Sequence, residues 1–253
     1  MLHTIDLYYF SPTGGTKKVA ETFCREISKN TNMINLGIAN QEISQASSDL
    51  IVVAAPVFGG RIPALVAEKL SNLDGNGKKA VALAVYGIRA YEDALLELTD
   101  VLNESGFQVA AAGAFNAQHS IVPEVGQGRP DAQDILEIQN FARKVSDKLE
   151  NDVEIAVKVP GNHPYKERSK NSATPVSTES CSQCGICITS CPTGAIQTEN
   201  ASVVTNPEKC MLCMACVSAC PQHARMLPQP VQETMNQKLG ALKAIHRENE
   251  FFL

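Results

Sequence analysis

The feature that most constrains this chain is a duplicated cysteine pattern. Cys181, Cys184, Cys187 and Cys191-Pro192 follow the spacing C-x2-C-x2-C-x3-C-P, and Cys210, Cys213, Cys216 and Cys220-Pro221 repeat it at all four positions 29 residues later. Of the nine cysteines in 253 residues, only Cys24 lies outside this segment. Repetition at a fixed period marks one structural unit used twice. Three thiolates spaced two residues apart can wrap the corner of one cube of iron and sulfide. The fourth, followed by proline, sits too far along the chain to close the same cube and ligates the other one. The spacing therefore predicts two 4Fe–4S clusters. Cys181, Cys184, Cys187 and Cys220 would hold the first, and Cys210, Cys213, Cys216 and Cys191 the second. Small neighbours (Ser182, Gly185, Ala215, Ser218) let backbone N–H groups approach the sulfides. Zinc prefers cysteine pairs with a longer spacer and has no use for a triplet followed by Cys-Pro. Disulfides need an oxidising compartment, and cysteines this close together cannot all pair without strain.

Residues 1–150 follow a different rule. Short β-branched apolar runs at Ile5–Tyr9, Met33–Leu36, Leu50–Ala55, Ala80–Val85 and Val109–Phe115 alternate with amphipathic stretches near Gly15–Lys29, Ala64–Leu70, Tyr91–Ser105 and Ala132–Leu149. Strands separated by helices predict an α/β fold with a parallel sheet covered on both faces. The continuous run Leu50–Ala55 suits a central strand. With 44% hydrophobic residues there is ample material for a core. Residues 151–177, rich in Pro, Gly, Asn, Ser and Lys, read as a linker. Residues 178–228 are the cysteine domain. Residues 229–253 read as a helical tail whose stripe of Met235, Leu239, Leu242 and Ile245 needs a surface to cover, on the first domain or on a second subunit. A homodimer is the commonest way to supply such a surface.

Three loops follow strand carboxyl ends. Ser11-Pro12-Thr13-Gly14-Gly15-Thr16 opens the first helix and offers hydroxyls and backbone N–H groups to one point, which suits a phosphate. It fits neither the Walker nor the Rossmann pattern. Pro56-Val57-Phe58-Gly59-Gly60-Arg61-Ile62-Pro63 and Tyr86-Gly87-Ile88-Arg89-Ala90-Tyr91 follow the third and fourth strands. In an open sheet of order 2-1-3-4-5 these loops converge on the crevice at the switch between strands one and three. Gly59, Gly60 and Gly87 would let backbone lie against a flat ring, and Phe58, Tyr86 and Tyr91 are the stacking aromatics available. Arg61 and Arg89 are unusual charges to meet there. His119 follows the fifth strand within reach of the same crevice. Cys24, among Val19, Phe23 and Ile27, reads as a small core hydrophobe, and Met211, Met214 and Met226 as packing that keeps water from the clusters.

The first loop resembles the phosphate loop of flavodoxins, and the cysteine segment resembles bacterial dicluster ferredoxins. The whole chain resembles the flavodoxin–ferredoxin fusion family, in which a five-stranded flavodoxin-like domain precedes an α+β two-cluster ferredoxin domain. The resemblance implies FMN held by Ser11, Thr13, Gly14, Gly15, Thr16, Pro56, Val57, Phe58, Gly59, Gly60, Tyr86, Gly87, Arg89 and Tyr91. It also implies electron transfer between FMN and two 4Fe–4S clusters, relayed to or from redox partner proteins of the ferredoxin or reductase kind. A flavin-dependent reductase of a quinone, oxygen or an organic acceptor is the alternative.

Charge excludes other classes. With 22 Lys and Arg against 27 Asp and Glu, net −5, there is no electrostatic case for nucleic acid. No apolar run approaches the roughly 18 residues of a membrane span. Met1–Asp6 has neither a cationic region nor a signal-peptide core, so the expected compartment is the cytoplasm.

Overall fold

The computed structural model describes residues 2–151, 157–168 and 173–253. The first part alternates β1 (Leu2–Tyr9), α1 (Gly15–Ile27), β2 (Ser28–Asn35), β3 (Leu50–Pro56), α2 (Ala64–Ser71), β4 (Lys79–Tyr86), α3 (Ala94–Glu104), β5 (Gln108–Asn116) and α4 (Ala132–Glu150). The cysteine region contributes β6 (Val176–Ser177), α5 (Ile186–Thr189), β7 (Ile196–Glu199), β8 (Ser202–Thr205), α6 (Ala215–Ser218) and β9 (Arg225–Met226). Then come α7 (Gln229–Leu239), a 3-10 turn (Gly240–Ala244) and β10 (Glu250–Phe252).

Strands β2-β1-β3-β4-β5 lie in that order and are all parallel, the flavodoxin-like arrangement expected. Every residue of β3 is buried. Its alternate side chains serve the two faces: Leu50, Val52 and Ala54 pack with α1 and α4 through Phe23, Ile27 and Phe141, whereas Ile51, Val53 and Ala55 pack with Val66, Leu70 and Leu98 of α2 and α3. Cys24 is buried in the first of these layers, as a core hydrophobe should be. Helix α4 starts at a capping box in which Asp131 accepts from the N–H groups of Gln133 and Asp134, an arrangement that stabilises by about 1 kcal/mol.

Three expectations need correction. The sheet has six strands, because β10 pairs antiparallel with β5 through Glu250–Ala114, Phe251–Gly113 and Phe252–Ala112. The segment after residue 228 is therefore not helical throughout. Its stripe lies on its own chain: Met235, Leu239 and Leu242 pack on Ile88, Val122 and Val125, while Ile245 is exposed. No second subunit is needed to cover it. Finally, residues 157–168 are not a loose linker. Val157 and Val159 join the core beside α3, the N–H groups of Asn162 and Lys166 donate to the buried Asp93 carboxylate at 2.9 and 2.7 Å, and Tyr165 and His163 bond Asp100. Among the described residues, no helix is long and apolar enough to cross a membrane.

Candidate functional site

The two halves of the cysteine domain repeat one another in backbone as well as sequence. Short helices α5 and α6 begin 29 residues apart, each after a residue with left-handed φ, Gly185 (78°) and Met214 (65°). None of the nine cysteines is in a disulfide. Cys181, Cys184, Cys187 and Cys220 line one cavity; Cys191, Cys210, Cys213 and Cys216 line another. The structure thus brings the far cysteine of each half to the triplet of the other. Among the described residues, no three of His, Cys, Asp or Glu draw close enough to hold a single metal ion. Equivalent N–H···S bonds prepare the two crossing cysteines: Ala195 N–H donates to Cys191 Sγ and Ala224 N–H to Cys220 Sγ, both at 3.2 Å. Burial pushes the Cys213 thiol up to about 12, so it needs an attached cation to become a thiolate. These features fit an iron–sulfur cube in each cavity.

A crevice lies at the carboxyl ends of β1, β3, β4 and β5. Thr13, Gly15 and Thr16 line it from the first loop, Pro56, Val57, Phe58, Gly59 and Gly60 from the second, and Tyr86, Gly87 and Arg89 from the third. As first-turn residues of α1, Gly15 and Thr16 have N–H groups without an acceptor inside the helix. The second loop folds back as a bridge between Phe58 and Arg61, with Gly59 and Gly60 at φ 62° and 91°, a pair that only glycine adopts readily. A Cβ on Gly60 would lie 1.8 Å from Glu92 Oε2, and one on Gly87 2.6 Å from the His119 ring. Side chains at these two positions would collide with Glu92 and His119, so glycine lets the second and third loops pack against their neighbours beside the crevice, a lining that fits a ring with a phosphate at the α1 end.

Not every expected residue reaches it. Ser11 acts beneath the loop, its Oγ accepting from Lys17 N–H at 2.9 Å. Gly14 lines a neighbouring cavity. Tyr91 turns inward, stacking edgewise on Tyr86 at 5.3 Å and donating its hydroxyl to Glu250 of β10. Arg61 turns away to a two-point pair with the buried Glu97 at 2.7 and 2.8 Å, and lies over the Tyr165 ring. Arg89 stays at the crevice, paired with Glu92 at 2.9 Å.

The loop after β5 contributes more than its sequence signalled: Ala117, Gln118 and Ser120 join His119 in the wall. Only the position of this segment after a strand could have pointed to it. His119 Nδ1 accepts from the N–H groups of Ile121 and Val122, both at 3.2 Å, so the neutral ring carries its proton on Nε2. Burial, reinforced by the nearby Arg89 charge, holds its pKa below the usual imidazole value.

Crevice and cysteine domain adjoin. A cavity of about 450 Å3 is bounded by Thr13, Gly15, Lys18, His119 and Arg129 on one side and by Met214, Val217 and Ser218 on the other. Met214 also walls the cavity of the second quartet. Cys213 and Ala215 belong to the same buried cluster as Tyr86 and Tyr91, with Phe58 and Met211 packed against it. Met226, by contrast, is exposed and packs around neither cavity.

Residues 175–221 match the family described as 4Fe-4S dicluster domain. Among solved structures, the chain is similar to a flavodoxin from the domain Archaea, with 15% identity over 58% of this chain and 99% of that one, at a TM-score of 0.41. It is likewise similar to oxidised Flavodoxin 2 from Bacillus cereus, with 18% identity over 57% and 99% and a TM-score of 0.43. For rubredoxin oxygen:oxidoreductase from Desulfovibrio gigas the values are 16%, 58% and 0.44, and the chain spans only 36% of that protein. These likenesses are distant. No curated protein matches the chain.

Proposed function

We propose that this chain, a flavodoxin-like α/β domain joined to a 4Fe-4S dicluster domain, passes electrons between FMN and two clusters within one polypeptide and relays them to or from redox partner proteins. When bound, FMN supplies the exchange between two-electron and one-electron chemistry, and each cluster carries one electron at a time. The chain's own residues do the rest. Thr13 and Thr16 hydroxyls and first-turn N–H groups receive the phosphate at the α1 N-terminus. Phe58 and Tyr86 bound the ring, and the glycine backbone of the second and third loops offers it N–H donors. His119 presents a neutral Nε2–H. Cys181, Cys184, Cys187 and Cys220 hold one cluster; Cys191, Cys210, Cys213 and Cys216 hold the other, and this second one faces the flavin.

The observation that carries the reading is Met214, a shared wall of the second quartet's cavity and of the space beside the phosphate loop. It supports a route internal to one chain. The anaerobically purified protein should hold about eight irons and one FMN per chain. The route is tested by mixing a flavin-free variant (Thr13→Ala with Thr16→Ala) with a cluster-free variant (Cys184→Ser with Cys213→Ser). Reduced flavin on one should leave clusters on the other oxidised. Rapid cluster reduction in the mixture would refute an internal route, and zinc in place of iron would refute the reading altogether.

A reductase of a small acceptor at the flavin is a second reading. The cavity of about 450 Å3 beside the crevice is large enough for a small organic molecule. Steady-state turnover of quinones or oxygen by the fully loaded protein decides between them.

A further inference from the structure

Among the positions buried in both halves of the cysteine domain, one differs. The residue five after Cys191 is Ile196; its counterpart five after Cys220 is Arg225. Both are buried, at 4% and 2% exposure, so one half places a hydrocarbon where the other places a guanidinium. A buried cation is costly unless something of opposite charge meets it. Its partners here are neutral: Nη1 donates to Ser177 Oγ at 3.0 Å, and Nη2 to the Pro175 carbonyl at 2.8 Å and to the Thr205 hydroxyl. The Nε–H has no acceptor, and among the described residues it is one of two buried side-chain polar atoms in that state. Its other side meets the cysteine cavity. Arg225 lines the cavity of the Cys181, Cys184, Cys187 and Cys220 quartet, and two of its hydrogen-bond partners, Pro175 and Thr205, wall the cavity of the other.

We propose that Arg225 is the buried counter-charge of the two-cluster site, placed between the quartets with its free Nε–H available to a cluster or ligand sulfur, and that it makes the clusters easier to reduce. The inference rests on the two-cluster reading above. Each cluster takes up one electron and so gains one negative charge. A fixed cation and an N–H···S bond both favour that more negative state, which raises the reduction potential. Lying between the sites, the same cation also weakens the repulsion between two reduced clusters. The bonds to Ser177, Pro175 and Thr205 hold the guanidinium in place and require no charge, so pinning alone does not explain why the residue is a cation.

The test is a redox titration of the loaded protein with dithionite and mediators, followed by electron paramagnetic resonance. The variants are Arg225→Lys, which keeps the charge, Arg225→Gln, which removes it, and Arg225→Ile, which copies the first half of the repeat. Iron and sulfide are measured on each. At the potential where the wild-type clusters are half reduced, Gln and Ile should lower the ratio of reduced to oxidised cluster about tenfold, a shift of about 59 mV for one electron. Lys should stay close to wild type. Unchanged midpoints in Gln or Ile with a full complement of iron would overturn the proposal; a wild-type protein without iron would overturn the cluster reading instead. Should the neutral variants fail to load, wild-type protein carrying 15N only in arginine gives a separate readout. Pulsed resonance of the reduced clusters should show a 15N coupling, and its absence would overturn the proposal.

Discussion

Asp93→Asn tests whether the strap of residues 160–168 sets the shape of the crevice. Asp93 is 3% exposed. Its Oδ1 accepts from the Asn162 N–H at 2.9 Å and side-chain amide at 3.1 Å, and its Oδ2 from the Lys166 N–H at 2.7 Å. Its own N–H donates to the Gly60 carbonyl at 3.0 Å, and Lys166 in turn pairs with Glu92 beside the crevice at 2.7 Å. An asparagine keeps the volume but turns one oxygen into a donor facing a donor, leaving a buried N–H unpaired at a cost of about 1–3 kcal/mol. The surviving bonds lose their ionic character, about 1 kcal/mol more. A total near 3 kcal/mol corresponds to a fall of about 6–12 °C in Tm for a chain of this size. FMN affinity should fall with it, because Lys166 leaves Glu92. Burial pushes the Asp93 carboxyl up, but the Lys166 and Asn162 hydrogen bonds and the Arg61 charge outweigh it and hold it below the usual range. Its contribution is therefore present above about pH 4 and is lost as pH falls through the lowered folded value. Thermal melts of wild type and variant should accordingly differ at pH 7 and converge in acid. A Tm within about 2 °C of wild type at pH 7, or a gap that does not narrow below about pH 4, would refute the reasoning.

Thr13→Ala with Thr16→Ala should weaken FMN binding more than about a hundredfold while iron content stays constant, since each hydroxyl lost to a phosphate is worth about 1.5–3 kcal/mol; equal wild-type affinity for riboflavin and FMN in a fluorescence titration would show the loop to be only a turn. His119 should stay neutral at pH 7, and because its folded pKa is lowered, its contribution to stability holds above about pH 6.5 and is lost as pH falls. His119→Gln should flatten that loss, and an imidazole resonance titrating at or above the usual value would contradict the assignment. Met214→Gly copies Gly185 at a left-handed backbone position and should relieve about 1 kcal/mol of strain. The buried Met214 side chain is lost at about 2–5 kcal/mol, so Tm should fall on balance while cluster reduction by photoreduced flavin slows, and unaltered transfer would remove Met214 from the route.

The sheet was legible because its strands carry their own burial in sequence: Leu50–Ala55 is apolar throughout and lies buried throughout. The cysteine quartets were legible because ligand spacing is a local property of the chain. What escaped depends on distant partners. β10 is only three residues, Glu250–Phe252, too short for any alternation, and its partner β5 lies over 100 residues away. The strap docks through backbone N–H groups and through Asn162, His163 and Tyr165, whose acceptors Asp93 and Asp100 are over 60 residues away, so its polar composition looked like that of a free linker. Tyr91 was assigned to the crevice by its loop and Arg61 was an unexplained charge there, but Glu250 and Glu97 draw them elsewhere, and neither carboxylate is near in sequence. Arg225 was not singled out in the sequence, because only its burial gives the break in the repeat a meaning.

The dicluster unit lies in sequence between β5 and β10, which are neighbours in one sheet. On one side the strap ties its chain to α3, and on the other α7 lies over the loops after β4 and β5 before β10 joins the sheet. A body hung from one point can swivel in every direction; hung from two, it can only rock about the line joining them. On the proposed route, passage of an electron across the Met214 wall should therefore be a first-order event with no diffusive encounter, independent of protein concentration and indifferent to ionic strength. Delivery to a separate protein has neither protection, and its rate should fall on dilution and respond to salt. Titrating both variables in one time-resolved experiment would separate the inner step from the outer one.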